Sequence, residues 1–137
     1  MLDSQIRVVA CDVGLKRIGV AILEQNIILP LEPILRINRN QAAEQLSTLL
    51  KNKAATHLVV GKPSGGEAGH MDTQRRIEHF VGLLDFDGQI IFVNEDYSSK
   101  EVMGLLPSKK LRRERKGKLD SISAMIILRT FMEGGSA

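Results

Sequence analysis

The chain has 137 residues, 43% apolar and 26% charged, with one cysteine and a net charge of +3. That length fits one domain around one core, and no apolar run approaches the roughly 18–20 residues that a membrane span requires. The start, Met1-Leu2-Asp3-Ser4-Gln5, lacks the basic and apolar regions of a signal peptide, and the lone Cys11 excludes an internal disulfide; a cytoplasmic protein with no membrane partner is expected.

Residues 6–11 alternate weakly and read as a buried strand, with Cys11 as a small buried hydrophobe. Gly14 and Gly19 bracket a turn into a second strand from Ile18 to Leu23. The polar pair Gln25-Asn26 then turns the chain into a third strand, Ile27-Ile28-Leu29, and Pro30 and Pro33 are expected to end it there. Strands this close in sequence favour an antiparallel meander. Ala42, Ala43, Leu46, Leu49 and Leu50 have helical spacing over roughly 40–53, and His57-Leu58-Val59-Val60-Gly61 reads as a central strand. A loop rich in glycine and serine comes next, from Lys62 to about Met71. A helix carrying Ile77, Phe80, Val81 and Leu84 is expected to start near Asp72 or Thr73. Asp87-Gly88 turns into a fifth strand over 89–93, and Ser98 or Ser99 caps a short helix through Leu106, stopped by Pro107. The last helix runs from Leu119 to Met132 and is apolar around most of its circumference, so it is read as largely buried; the tail from Gly134 to Ala137 should fray. Helices alternating with strands in the second half imply right-handed parallel crossovers. The expected fold is α/β, a mixed five-stranded sheet flanked by helices, as a single domain over residues 1–137.

Three acids stand at the ends of apolar elements: Asp12 after the first strand, Glu95 after the fifth, and Asp120 at the start of the last helix. Carboxylates in such places are costly unless paired or bound to a cation. Pleat alternation puts Asp12 on the face of Ile6, Val8 and Ala10, and Glu95 on the face of Ile91 and Val93. Helical period puts Asp120 near the stripe of Ala124, Ile127 and Phe131. If the first, fourth and fifth strands are neighbours, the first two acids share the sheet edge where open α/β sheets bind ligands, and the last helix can bring the third. Brought together, the three would form a divalent-metal site for phosphodiester chemistry. Taken singly, each acid also reads as a turn, a strand end or a helix cap.

The charge is uneven. Lys109 to Lys118 holds seven basic residues and one acid, +6 against +3 for the whole chain, so the remainder carries −3. Clustered cations suit a polyanion such as nucleic acid, although a solvated loop reads the same way. The segment Gly61-Lys62-Pro63-Ser64-Gly65-Gly66-Glu67-Ala68-Gly69-His70 joins a strand to a helix, where glycines let backbone N–H groups approach phosphates; no Gly-Lys-Ser/Thr closes it, so it is not a Walker A loop. His70 reads as a surface histidine with proton transfer or phosphate contact as the alternative, and His57 and His79 as structural.

These residues resemble the YqgF-like (RuvX) family nearly end to end. The resemblance rests on Asp12-Val13-Gly14 with Lys16-Arg17-Ile18-Gly19-Val20-Ala21, on Val59-Val60-Gly61-Lys62-Pro63, on Asn94-Glu95 followed by Ser98-Ser99, and on Leu119-Asp120 leading into Ala124 and Ile127-Leu128. It implies an RNase H-like fold and a metal-dependent nuclease, with Asp12, Glu95 and Asp120 both catalytic and ligands to Mg²⁺ or Mn²⁺. With the clustered charge, the expected nucleic-acid contacts are Lys16, Arg17, Lys62, Lys109, Lys110, Arg112, Arg113, Arg115, Lys116 and Lys118. The family is linked to processing the 5′ end of precursor 16S ribosomal RNA in ribosome biogenesis, and to Holliday-junction resolution on branched DNA, for which a homodimer would be needed. Three departures stand out. Asn94-Glu95-Asp96 replaces the family's usual Asp-Glu-Arg, Lys62 replaces a usual leucine, and Gly65-Gly66-Glu67 weakens the usual Asn-x-Asp. Competing readings are a non-catalytic RNA-binding ribosome-assembly factor, in which residues 109–118 carry the function, and an ATP-binding module, for which the chain is short of a second lobe.

Overall fold

The structure is a computed structural model that describes residues 6–63, 68–94 and 119–134; at 68–70, 119 and 120 it describes the backbone alone. In chain order the elements are β1 (Val8–Val13), β2 (Arg17–Glu24), β3 (Ile27–Leu35), α1 (Arg39–Asn52), β4 (His57–Lys62), α2 (Ala68–Gly82), β5 (Gln89–Asn94) and α3 (Leu119–Met132). The expected short helix through Leu106 lies outside the described residues, as do Glu95 and the basic segment 109–118.

The strands form one mixed sheet in the order β3-β2-β1-β4-β5. β1, β2 and β3 are an antiparallel meander, while β4 runs parallel to β1 and β5 parallel to β4. The β2–β3 hairpin closes on Gln25 and Asn26 alone, with φ of 51° and 66° between the paired Glu24 and Ile27. Two successive left-handed residues match the twist of the flanking strands, and asparagine tolerates that conformation.

Two expectations need correction. β3 does not stop at Leu29; it continues through Pro30 and Pro33 to Leu35. It is an edge strand, so only alternate N–H groups face a neighbour and a proline can take the other positions. Pro33 moreover falls in a bulge: Ile18 pairs with Ile34 and Val20 with Leu31, leaving β3 one residue longer than β2. α2 begins at Ala68, not near Asp72. Its first-turn N–H groups make no helical bonds, so a glycine at position 69 costs little there. Gln74, a turn later, ties the helix to the preceding chain by donating to the Pro63 carbonyl at 2.6 Å.

The sheet's two faces bury two cores. On one, Val9, Cys11, Val20, Ile22, Leu58 and Val60 pack against Ala42, Leu46 and Leu50 of α1 and Ile77 and Phe80 of α2. On the other, Val8, Ala10, Ala21, Leu23, Val59 and Val93 pack against Ala124, Ile127 and Leu128 of α3. Strand alternation sorts these residues between the faces, and burying each large side chain stabilises by about 1.5–3 kcal/mol. Among the described residues α3 is the helix that packs on this face, in keeping with its strongly apolar sequence.

α1 starts with a complete capping box. Asn38 Oδ1 accepts from the Gln41 N–H at 2.7 Å, and Gln41 Oε1 accepts from the Asn38 N–H at 3.2 Å. The Asn38→Ala variant is therefore expected to lose about 1 kcal/mol of stability in urea denaturation; a loss below about 0.3 kcal/mol would show that the box contributes nothing.

Candidate functional site

β1, β4 and β5 are adjacent and parallel, so their C-terminal ends share one edge of the sheet. Cys11 pairs with Val60, Val60 with Phe92, Gly61 with Val93 and Lys62 with Asn94. Asp12, one residue past Cys11, lies at this edge, half-buried. Val8 and Ala10 face α3, so Asp12 continues that face by alternation. Its cross-strand partner is Gly19, which has no side chain to crowd the carboxylate. Asn94 ends β5 at the same edge, and Glu95 is the residue after it.

α3 enters the edge through a hydrogen-bonded serine that its sequence did not announce. Ser121 is fully buried, and its hydroxyl sits between two strands. It accepts from the Val20 N–H at 3.2 Å and donates to the Leu31 carbonyl at 2.6 Å, at the point where the β2–β3 register shifts. The bulge makes room in the ladder, and the serine fills it. Val20 is next to Gly19, the partner of Asp12, so the first turn of α3, with the Asp120 backbone, lies over β2 beside Asp12. A serine directly after an acid at a helix start was the available signal, but it looks the same as an ordinary capping residue.

The β1–β2 turn borders the same edge. Gly14 donates to the Arg17 carbonyl at 3.0 Å, and a Cβ on Gly14 would stand 2.6 Å from that oxygen, so the close approach requires glycine. The turn presents an exposed Lys16 and a half-buried Arg17. Lys62, at the end of β4, is held in place: its ammonium donates to Glu78 at 2.9 Å and lies 4.4 Å from the centre of the Phe92 ring.

Of the three predicted acids, Asp12 is the one whose side chain is described. Among the described residues no three His, Cys, Asp or Glu side chains stand close enough to hold a metal. What the fold brings to one edge is the Asp12 carboxylate, the end of β5 and the first turn of α3. Carboxylate oxygens are hard donors, the type that Mg²⁺ and Mn²⁺ take, so the donor chemistry fits such an ion. Lys109, Lys110, Arg112, Arg113, Arg115, Lys116 and Lys118 all lie outside the described residues, and so does the side chain of His70. Among the described residues no helix is long and apolar enough to cross a membrane.

Residues 6–134 match the family model of RuvX, described as Holliday junction resolvase. A Helicobacter hepaticus protein named "Putative pre-16S rRNA nuclease" is 55% identical over 130 residues, spanning 92% of this chain and 94% of its own length. A Campylobacter jejuni protein of the same name is 48% identical over 127 residues, spanning 92% of this chain and 98% of its own. Among solved structures, Fowlpox virus resolvase bound to Holliday junction DNA superposes with a TM-score of 0.63 at 12% identity, covering 94% of this chain and 98% of that one. Thermus thermophilus RuvC with a Holliday junction substrate gives 0.52 at 11% identity, covering 96% and 98%. These likenesses carry the RNase H-like fold.

Because the buried Ser121 hydroxyl satisfies one N–H and one carbonyl, Ser121→Ala is expected to cost about 1–3 kcal/mol in urea denaturation, with Ser121→Thr closer to the parent. An alanine variant as stable as the parent would mean that the bulge closes on itself without the hydroxyl.

Proposed function

The chain belongs to the RuvX family and is a phosphodiester-cleaving nuclease, and we propose that it processes the 5′ end of precursor 16S ribosomal RNA with a divalent-metal site made by Asp12, Glu95 and Asp120. The observation that carries this reading is the position of Asp12: a carboxylate at the shared end of parallel strands, on the face covered by α3. The name borne by relatives about half identical to the chain supports the RNA substrate. Ribosomal RNA as substrate also makes the cytoplasm its place of work.

In this reading Asp12 and Glu95 supply carboxylate oxygens from two strand ends, and Asp120 supplies a third from the helix that crosses them. A bound Mg²⁺ or Mn²⁺ would supply Lewis-acid stabilisation of the phosphate and a more acidic water. The rigid sheet fixes Asp12 in advance, so little order is lost when substrate binds. Lys16 and Arg17, on the turn beside Asp12, stand where a phosphate chain would approach, and residues 109–118 would add the long-range attraction. Lys62 joins them only if its ion pair with Glu78 opens.

The family description favours one second reading, cleavage of a four-way DNA junction. That needs two active sites in a symmetric homodimer. A protein that sediments as a monomer at working concentration would count against it.

Asp12→Asn keeps the shape and removes the charge. It should fold normally by circular dichroism and lose several kcal/mol of transition-state stabilisation, hence roughly a thousandfold in cleavage of a precursor 16S fragment with Mg²⁺ or Mn²⁺. Undiminished cleavage by this variant would sink the metal-site assignment.

A further inference from the structure

On the face of the sheet opposite Asp12, four arginines converge. Arg36 follows β3, Arg39 opens α1, and Arg75 and Arg76 lie on α2; with His79 they line a cavity of about 310 Å³. His79, expected to be structural, is exposed at this cavity. Among the described residues none of the four guanidiniums is paired with a carboxylate. Arg36 donates to the Gly14 carbonyl at 2.9 Å and lies 5.4 Å from the Phe80 ring centre. Arg39 donates to His79 Nδ1 at 2.9 Å, and Arg76 to Thr73 Oγ1 at 3.2 Å. Elsewhere the pattern is different: Arg7, Lys51, Lys62 and Arg129 each have a carboxylate at 2.6–3.6 Å.

This arrangement works against the free protein in three ways. Like charges share one small space. Arg39 places a cation at the positive end of the α1 dipole, and neither α1 nor α2 has an acid in its first turn to offset it. Burial, reinforced by Arg39 and Arg76, holds the Arg36 guanidinium below its ordinary pKa. An anion in the cavity relieves all three, and guanidinium forks suit the paired oxygens of phosphate.

The cavity also borders the acidic edge. The Arg36 N–H donates to the Lys16 carbonyl at 2.8 Å, and its guanidinium reaches Gly14, two residues past Asp12. Two residues of chain span at most about 7 Å. A strand of nucleic acid crossing this edge would meet Asp12 on one side and the arginines on the other. Four guanidiniums spread over a loop and two helices exceed the charge of a single phosphate, and match several phosphates in a row.

We propose that Arg36, Arg39, Arg75 and Arg76 form a second phosphodiester-binding site, which grips the substrate backbone on the α1–α2 face while the acids act at the edge. This rests on the nuclease reading, and it assigns the grip to residues separate from the basic segment 109–118.

The test uses the full chain carrying Asp12→Asn, so that substrate is bound and not cut. Its affinity for a 20-base-pair RNA duplex, and for a four-way DNA junction, is measured against salt, with and without Arg39→Gln, Arg75→Gln and Arg76→Gln together. Arg36 is left in place because it also ties the β1–β2 turn. The triple variant should bind at least about tenfold more weakly near physiological salt, and its log–log salt slope should fall by about 2–3, near 0.9 for each phosphate no longer neutralised. Its melting temperature should be unchanged or raised, since like-charge repulsion is removed. An unchanged slope and affinity would overturn the proposal. ATP is titrated in parallel, and a triple variant that loses ATP binding present in the parent while keeping nucleic-acid binding would also overturn the proposal, making the cavity a small-anion site. If the Asp12→Asn parent binds neither nucleic acid, the nuclease reading has failed, and that is seen before any arginine is changed.

Discussion

The hydroxyl of Ser121 fixes where α3 meets the sheet, and the candidate site depends on that meeting. Helix packing alone allows α3 to slide or turn over an apolar face, because dispersion and burial are weakly directional. A hydrogen bond accepted from Val20 and another donated to Leu31 are directional, the first buried and the second partly so. They set the start of the helix against β2, one residue from the cross-strand partner of Asp12. Ala124, Ile127 and Leu128 then bury the rest of the helix on the same face. The acid-bearing first turn is held by polar contacts at one end and by the core along its length.

Much of this was legible because strand pleat and helical period are strict. Alternation placed Asp12 on the face of Val8 and Ala10, and those two residues do pack under α3. The bounds of α3, Leu119 to Met132, were readable from its apolar sequence, since a helix packed flat on a sheet face needs a broad apolar surface. What failed to be legible depended on neighbours. Pro30 and Pro33 looked like strand breakers, yet an edge strand with a bulge takes both. Ser121 looked like a cap because its partners, Val20 and Leu31, are distant in sequence. The four arginines escaped for the same reason: Arg36 and Arg39 are some forty residues from Arg75 and Arg76, so no charge run marked them.

Near one edge the described residues place a carboxylate on one face of the sheet and arginines on the other. On the α3 face a carboxylate stands at the end of β1, and on the α1–α2 face arginines gather without carboxylate partners among the described residues. A nuclease needs both kinds of surface, one to hold a cation at the reacting phosphate and one to hold the rest of a polyanion. The end of β1 places the carboxylate, and the end of β3, the start of α1 and the middle of α2 place the arginines.

The proposed metal site would draw its ligands from β1, from the end of β5 and from α3, at one edge of the sheet. Paramagnetic broadening of backbone amide signals by substoichiometric Mn²⁺ tests it directly. Amides at Asp12, Asn94 and Ser121 should broaden together and first, and Asp12→Asn should abolish the effect at all three. Broadening confined to one of these elements, or centred elsewhere on the protein, would contradict the account.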